Sequence, residues 1–191
     1  MSEFHPLIAV QPRAGRRRPG RTRALVIAGG ATLAVVGLLA IAHAHRGFVL
    51  VNGTASEPPG LYVRAKGEPI RRGSLVAFMA PPAAYPYADR RMPFLRSTPI
   101  IKAVAAVAGD HVCASGGVLA VNGVQLAPIQ QRDSQGFVLP HWNACRRLEP
   151  GELFAFSNRV PTSFDSRYYG PVPVALAQPY RPLITTEGFG R

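Results

Sequence analysis

The apolar and polar positions divide the chain into one long uncharged run and a series of short apolar runs. The long run extends from Ala24 to Ala42 without a charged residue, and Thr32 carries its only hydroxyl group. Nineteen helical residues at about 1.5 Å each reach roughly 28 Å, close to the ~30 Å hydrocarbon core of a bilayer. The pattern therefore predicts one membrane-spanning helix over residues 24–44.

The apolar runs after residue 47 are short and are bounded by turn residues, which is typical of β-strands. They occupy residues 48–51, 74–78, 100–107 and 153–156. Residues 118–121 and 124–126 flank Asn122-Gly123, a pair that strongly indicates a tight hairpin. No amphipathic stretch after residue 47 is long enough to predict a helix, and the last twenty residues, with Pro179 and Pro182, show little pattern. We predict a mainly β domain, built as a folded β-sheet or partly open barrel, after one N-terminal transmembrane helix.

Composition narrows the class of protein. The 191 residues are 47% hydrophobic and 17% charged, which excludes an intrinsically disordered protein. Gly and Pro contribute 19 residues each, which disfavours a helical bundle, and two cysteines are too few for a disulfide-dense miniprotein. Residues 47–191 have a common size for one domain with a single core, so we predict one domain there.

The net charge of +12 is placed unevenly along the chain. Six arginines precede residue 24, where Glu3 is the only acidic residue. This basic flank predicts a cytoplasmic tail over residues 1–23 and export of everything after Arg46. The alternatives are a cleavable signal peptide, because residues 42–44 (A-H-A) resemble a cleavage site, and nucleic-acid binding by the arginines. The uncharged run exceeds the usual apolar core of a signal peptide, so we expect a type II anchor and no nucleic-acid partner.

Lysine usage gives the first indication of chemistry, because only two lysines stand among 22 basic residues. Lys66 lies in a polar turn, whereas Lys102 lies inside the apolar run 100–107. Such a lysine either extends its amine to the surface or is a desolvated amine. A neutral amine can act as general base to a serine if its pKa falls from ~10.4 toward ~8, at a cost of about 3 kcal/mol.

Ser56 is the candidate partner of that amine. Two prolines and Gly60 follow it closely and predict a rigid turn, which can hold a nucleophile in place without a helix. Thr54 is two residues earlier, so its hydroxyl can donate to a developing oxyanion together with the Ser56 N–H. The alternative is a Ser/Pro/Gly loop without chemistry.

Three boxes resemble those of the conjugative-transfer signal peptidases (TraF type), a branch of the type I signal peptidase family of Ser-Lys dyad proteases. Residues 56–62 (S-E-P-P-G-L-Y) resemble the nucleophile box S-x-P-x-G-L-Y, and Lys102 with Asp110 resembles the lysine box K-x7-D. Residues 157–159 (S-N-R) and 163–170 (S-F-D-S-R-Y-Y-G) resemble the closing box. The likeness extends from about residue 24 to residue 173.

The resemblance implies a signal-peptidase-like catalytic domain and a role for each matching residue. Ser56 would be the nucleophile, Lys102 the general base and Thr54 the side-chain oxyanion donor. Ser163 would orient the lysine amine by a hydrogen bond. Asp165 and Arg167 would form a supporting charged pair, because a carboxylate in direct contact with the lysine would raise its pKa.

The resemblance also implies an activity and a location. The protein would be a serine endopeptidase without cofactor or metal, anchored in the bacterial inner membrane with its catalytic domain in the periplasm. Its partners would be the lipid bilayer and the precursor of a conjugative pilin or another exported protein. Whether water or an amine completes the reaction, and so whether pilin is hydrolysed or cyclised, stays open. The alternatives are a general type I signal peptidase and an inactive scaffold of a secretion channel.

The sequence departs from the family pattern at a few positions. Glu57 stands where the leader-peptidase branch usually has methionine, and Ala106 and Ala108 replace a glycine and a proline. Ser157 replaces the aspartate of the G-D-N-R motif, and one extra residue lies between Arg159 and the aspartate of the closing box. None of these positions belongs to the predicted dyad.

The two cysteines predict a disulfide on the exported side, where disulfides persist. A Cys113–Cys145 bridge closes a 33-residue loop, which in the chain-entropy model stabilises by roughly 3–4 kcal/mol. The alternative is a metal site, since His111 and His141 lie close to the cysteines in sequence. The disulfide is favoured because structural zinc sites show tighter cysteine spacing. A Ser-His-Asp hydrolase is less favoured, because there is no G-x-S-x-G motif.

Overall fold

The structure of this protein is a computed structural model that describes residues 29–30, 32–33, 35–36 and 48–189. The predicted tail of residues 1–23 lies outside the described residues. So does the predicted spanning helix of residues 24–44, apart from six positions that are helical. Within the described part, no helix is both long and apolar enough to cross a bilayer.

Most of the described secondary structure consists of short β-strands. They are β1 (Val49–Asn52), β2 (Gly60–Arg64), β3 (Leu75–Phe78), β4 (Ile100–Val107), β5 (His111–Ser115), β6 (Val118–Val121), β7 (Val124–Pro128), β8 (Cys145–Arg147), β9 (Glu152–Ala155), β10 (Val172–Pro173) and β11 (Gln178–Thr185). The short α-helices are α1 (Tyr87–Arg91) and α2 (Ser166–Tyr169). Single 3-10 turns occupy Pro82–Ala84, Pro93–Arg96, Val174–Leu176 and Thr186–Phe189. The predicted mainly β class is confirmed.

The strands form two antiparallel sheets. The larger sheet has the order β1-β2-β11-β3-β4-β9-β10, and the smaller sheet has the order β7-β6-β5-β8. The predicted hairpin is the β6–β7 pair, where Asn122 and Gly123 both have positive φ, 51° and 82°. That conformation suits the right-handed twist of the two strands. Cys113 and Cys145 lie opposite each other on β5 and β8 and form the predicted disulfide, so their sulfur atoms bind each other and not a metal.

Strand β11 is an element that the sequence analysis did not predict. It lies between β2 and β3 and pairs with both, although it contains Pro179 and Pro182. A proline cannot donate to a ladder, and the register shifts between Pro182 and Ile184 as a bulge. Pairing with strands more than a hundred residues earlier leaves no local pattern that could have predicted it.

Strand β4 is buried on both of its faces. Alternate side chains point to opposite faces of a strand, so Ile100, Lys102 and Val104 share one face, which packs into the main core. Ile101 on the other face packs with Tyr62, Ala77 and Tyr180 in a second apolar cluster. The side chain of Lys102 therefore extends from a strand that is shielded from water on both faces.

Gly60 begins β2 where that strand passes very close to β11. A Cβ atom at this position would overlap the carbonyl oxygen of Ile184 and lie 2.8 Å from Thr185 Cα. Real Cβ atoms do not come so close to backbone, so a side chain here must push β11 away from β2. The absence of a side chain at Gly60 therefore lets the end of the Ser56 loop and the start of β2 lie close to β11.

We predict that Gly60→Ala destabilises the full-length protein by about 2–3 kcal/mol, because β2 and β11 must separate. Gly53→Ala is the matched control in the same loop, since a Cβ there meets nothing within 4 Å. Thermal unfolding in detergent, followed by the fluorescence of the single Trp142, measures both variants. Equal melting temperatures for the two variants would contradict the close contact.

Candidate active site

Ser56 and Lys102, 46 residues apart in sequence, are in direct contact. Lys102 Nζ lies 2.8 Å from Ser56 Oγ. Ser56 is on the loop between β1 and β2, whereas Lys102 is the third residue of β4. The two residues are only 8% and 4% exposed. The structure therefore places the predicted nucleophile and the predicted base within hydrogen-bond distance of each other.

The surroundings of Lys102 favour its neutral form. Burial lowers the pKa of Lys102 below the ordinary lysine value. The negative charges of Asp165 and Glu57 oppose this shift, and the positive charge of Arg167 adds to it. Besides Ser56 Oγ, the amine contacts the carbonyl oxygen of Ile101 at 3.1 Å. A buried amine with a lowered pKa and a hydroxyl in contact is suited to proton abstraction.

The loop that carries Ser56 is organised by Asn52, a residue that the sequence analysis missed. Its side-chain nitrogen donates to the carbonyl oxygens of Thr54, Glu57 and Pro58 at 3.0, 2.9 and 3.2 Å. Its side-chain oxygen accepts from Thr54 N–H at 3.0 Å. In sequence Asn52 precedes a glycine, so it suggests only a turn, and its contacts depend on the loop folding back over it.

Thr54, for which the sequence predicts the role of oxyanion donor, lies beside the candidate nucleophile. Its Oγ1 is 3.2 Å from Ser56 Oγ and 2.7 Å from Asn52 Oδ1. The residue is exposed, and it faces the same cavity as Ser56 and Lys102. Thr54, Ser56 and Lys102 thus line one and the same cavity.

Two polar contacts fix the main chain around Ser56 from other parts of the fold. The Ser157 hydroxyl donates to the Ser56 carbonyl oxygen, and Glu57 accepts from Ala103 N–H at 3.0 Å. Burial raises the pKa of Glu57, while the hydrogen bond from Ala103 opposes that shift. Glu57 and Ser157 were noted in the sequence only as departures from a family pattern. In the structure they tie the nucleophile loop to β4 and to the segment after β9.

Asp165, Arg167 and Ser163 form a buried cluster next to Lys102. Asp165 and Arg167 are 0% and 1% exposed and form a two-pronged ion pair with distances of 2.8 and 2.9 Å. The guanidinium of Arg167 also donates to the carbonyl oxygens of Ser163 and Pro128, each at 3.0 Å. This geometry is that of the predicted supporting pair, since the guanidinium balances a carboxylate that would otherwise attract the lysine proton.

Ser163 lines the same cavity as Lys102, but its hydroxyl points to the carboxylate. Ser163 Oγ donates to Asp165 Oδ2 at 2.8 Å. Among the described residues, the hydrogen bonds of the lysine amine go to Ser56 and Ile101. The Ser163 hydroxyl therefore bonds the carboxylate of Asp165, and its predicted role of orienting the lysine amine directly stays a prediction.

A cavity of about 340 Å³ opens beside Ser56 and Lys102. Its walls are mostly apolar, with contributions from Leu50, Met92, Leu95, Ile100, Val160 and Phe164. A larger cavity of about 500 Å³ adjoins it and shares Met92, Thr162 and Phe164 with it. The smaller cavity is the candidate active site because it contains the serine–lysine pair.

Comparisons with known proteins agree with the three sequence boxes. A family model described as signal peptidase, peptidase S26, matches residues 23–177. The probable conjugal transfer protein TraF of Sinorhizobium fredii (strain NGR234) is 32% identical over 181 residues, which is 89% of this chain and 91% of that protein. The conjugal transfer protein TraF of Agrobacterium tumefaciens (strain 15955) is 34% identical over 177 residues, 82% of this chain and 94% of that protein.

Two further matches come from Escherichia coli and Enterococcus faecalis. A plasmid transfer protein TraF of Escherichia coli is 31% identical over 176 residues and covers 86% of this chain and 96% of that protein. The crystal structure of a signal peptidase I from Enterococcus faecalis V583 matches with a TM-score of 0.35 and 20% identity, over 62% of this chain and 98% of that chain. The sequence matches confirm the resemblance to TraF-type signal peptidases.

We predict that Arg167→Met destabilises the protein by about 3–5 kcal/mol, because it leaves the carboxylate of Asp165 buried without its partner. Arg181→Met is the matched control, since it opens the ion pair with Glu68, whose side chains are 68% and 39% exposed. Denaturant unfolding, followed by the fluorescence of Trp142, compares the two variants. A loss no larger for Arg167→Met than for the control would contradict a structural role of the buried pair.

Proposed function

The chain belongs to the signal peptidase family, peptidase S26, and we propose that it is a serine endopeptidase in which Ser56 is the nucleophile and Lys102 is the general base. The 2.8 Å contact between Lys102 Nζ and Ser56 Oγ supports this proposal most directly. The burial of the amine, the lowered pKa and the open cavity beside the pair supply the other conditions that a Ser-Lys dyad needs.

The reaction begins with attack on the peptide bond. The neutral amine of Lys102 takes the proton of the Ser56 hydroxyl as the oxygen attacks the scissile carbonyl carbon. Negative charge develops on the carbonyl oxygen, which accepts hydrogen bonds from the Ser56 N–H and the Thr54 hydroxyl. Loss of one such donor costs about 3 kcal/mol of transition-state stabilisation.

Breakdown of this intermediate and of the ester that follows restores the enzyme. The ammonium of Lys102 gives its proton to the leaving amine, the peptide bond breaks, and the acyl group stays on Ser56 as an ester. A second nucleophile then loses its proton to Lys102 as it attacks the ester carbonyl carbon. The bond from the acyl carbon to Ser56 Oγ breaks, and the Lys102 ammonium returns the proton to that oxygen, which restores the hydroxyl and the neutral amine. Water as the second nucleophile gives hydrolysis, and an amine of the substrate gives a new peptide bond.

We propose that the substrate is the precursor of a conjugative pilin or another exported transfer protein. Three of the relatives are named as transfer proteins, and the alignments cover almost their whole length. The uncharged run from Ala24 to Ala42 and the six arginines before it support anchorage in the inner membrane with the catalytic domain in the periplasm. The Cys113–Cys145 disulfide is consistent with an oxidising compartment.

We predict that Ser56→Ala and Lys102→Ala each lower precursor processing by about 10⁴-fold or more, since the two groups act as one unit. Lys66→Ala, at the other lysine of the chain, is the matched control and is expected to keep full activity. The masses of the precursor pilin of the same transfer system and of its products measure each variant. Unchanged processing by Ser56→Ala would contradict the mechanism and would favour a scaffold.

We also predict that kcat/KM rises with pH through the lowered pKa of Lys102, because only the neutral amine accepts the proton of Ser56. Lys102→Arg, which keeps a positive charge at every accessible pH, is expected to be inactive throughout. Processing rates of the full-length protein between about pH 6 and pH 10 measure this dependence. A wild-type rate that is flat over the whole range would argue against an amine base.

A further inference from the structure

The Ser56–Lys102 contact is one part of a longer row of hydrogen bonds that leads to Asn52. Ser56 Oγ lies 2.8 Å from Lys102 Nζ and 3.2 Å from Thr54 Oγ1, and Thr54 Oγ1 lies 2.7 Å from Asn52 Oδ1. The proposed mechanism uses the first three side chains and gives Asn52 no task. Asn52 is nevertheless buried, with both ends of its amide group engaged.

The partners of Asn52 fix which way its amide group points. Three backbone carbonyl oxygens, those of Thr54, Glu57 and Pro58, lie within 3.2 Å of Nδ2. Carbonyl oxygens only accept hydrogen bonds, so the amide nitrogen must face them. The amide oxygen then faces Thr54, and because it can only accept, the single hydroxyl proton of Thr54 is donated to Asn52.

The hydrogen bonds of this row can be directed in two ways, depending on whether Lys102 is charged or neutral. If Lys102 is an ammonium, it donates to Ser56, Ser56 donates to Thr54, and Thr54 donates to Asn52, so each oxygen of the row accepts one proton from its neighbour. If Lys102 is neutral, Ser56 donates to it instead. The Ser56 and Thr54 oxygens then face each other without a proton between them, unless Thr54 turns its proton away from Asn52 and toward Ser56.

We propose that Asn52 is a positioning residue that controls the oxyanion donor. Asn52 Oδ1 holds the Thr54 hydroxyl next to Ser56 before the reaction, and the Thr54 O–H turns from Asn52 to donate to the oxyanion as negative charge develops there. The exposure of Thr54 to the cavity leaves its hydroxyl free to make this exchange. This inference rests on the proposed roles of Ser56, Lys102 and Thr54.

The proposal has a consequence for the pH dependence of the reaction. As the final acceptor, Asn52 stabilises the arrangement in which Lys102 is charged, so its removal favours the neutral amine. The charged groups that act on Lys102 are Glu57 on the nucleophile loop, and Asp165 and Arg167 at the start of α2. Substitution at position 52 changes none of these charges. We therefore expect kcat/KM of the Asn52→Ala variant to rise at a lower pH than kcat/KM of the wild type.

The test is a double-mutant cycle on the full-length protein with the precursor pilin as substrate. Thr54→Val removes the hydroxyl and is expected to lower kcat by about 10²-fold. Asn52→Ala is expected to lower kcat more than it changes KM. In the Thr54→Val background, Asn52→Ala is expected to lower kcat further by less than about threefold, because its effect acts through the missing hydroxyl. Thr54→Ser keeps the hydroxyl and is expected to restore the dependence on Asn52.

Equal losses from Asn52→Ala in both backgrounds would overturn the proposal, since they would mean that Asn52 only holds the loop through the carbonyl oxygens. An unchanged pH profile in Asn52→Ala would overturn it as well.

Melting temperatures show whether each variant is folded, and Asn52→Ser replaces Asn52→Ala in both backgrounds if the alanine variant unfolds. Ser56→Ala in the same assay separates the two proposals. Activity in that variant removes the proposed function, whereas an inactive Ser56→Ala with an additive cycle removes only the role of Asn52.

Discussion

The contact between Lys102 Nζ and Ser56 Oγ exists because a lysine occupies a strand that is buried on both faces. Desolvation removes the stabilisation that water gives an ammonium, so the amine tends toward its neutral form. An amine on a flexible surface side chain would stay protonated at neutral pH and could not accept a proton. The burial of β4 on both of its faces is therefore a condition for a neutral Lys102 amine.

The buried carboxylates near Lys102 act against the neutral amine, so the site needs groups that offset their charge. Asp165 and Glu57 are both close enough to favour the charged amine. Arg167 forms a two-pronged pair with Asp165, and Glu57 accepts a hydrogen bond from the backbone of β4. The carboxylates thus have partners of their own, and a buried ion pair serves here to limit the field at the lysine as well as to hold the fold.

Local patterns could predict those parts of the site that depend on local structure. Lys102 was a candidate because it interrupts an apolar run in a chain with almost no lysine, whereas the rigid turn after Ser56 gained its meaning from the resemblance of residues 56–62 to a nucleophile box. Long-range contacts left no such pattern. Strand β11 pairs across most of the domain despite its prolines, and Asn52 gains its importance only when the loop folds over it. The hydroxyl of Ser163 donates to Asp165 in the folded structure, and the sequence pattern alone did not distinguish this acceptor from the amine of Lys102.

The most direct test of the central claim is a titration of the lysine amines by NMR. With only two lysines in the chain, selective labelling gives two side-chain signals, and the one lost in Lys102→Met belongs to Lys102. We predict that this signal titrates with a pKa below the ordinary lysine value of about 10.4, and that the pKa stays lowered in the Ser56→Ala variant, since burial is the main cause of the shift. A Lys102 amine that stays protonated up to the ordinary lysine pKa or beyond would contradict the account.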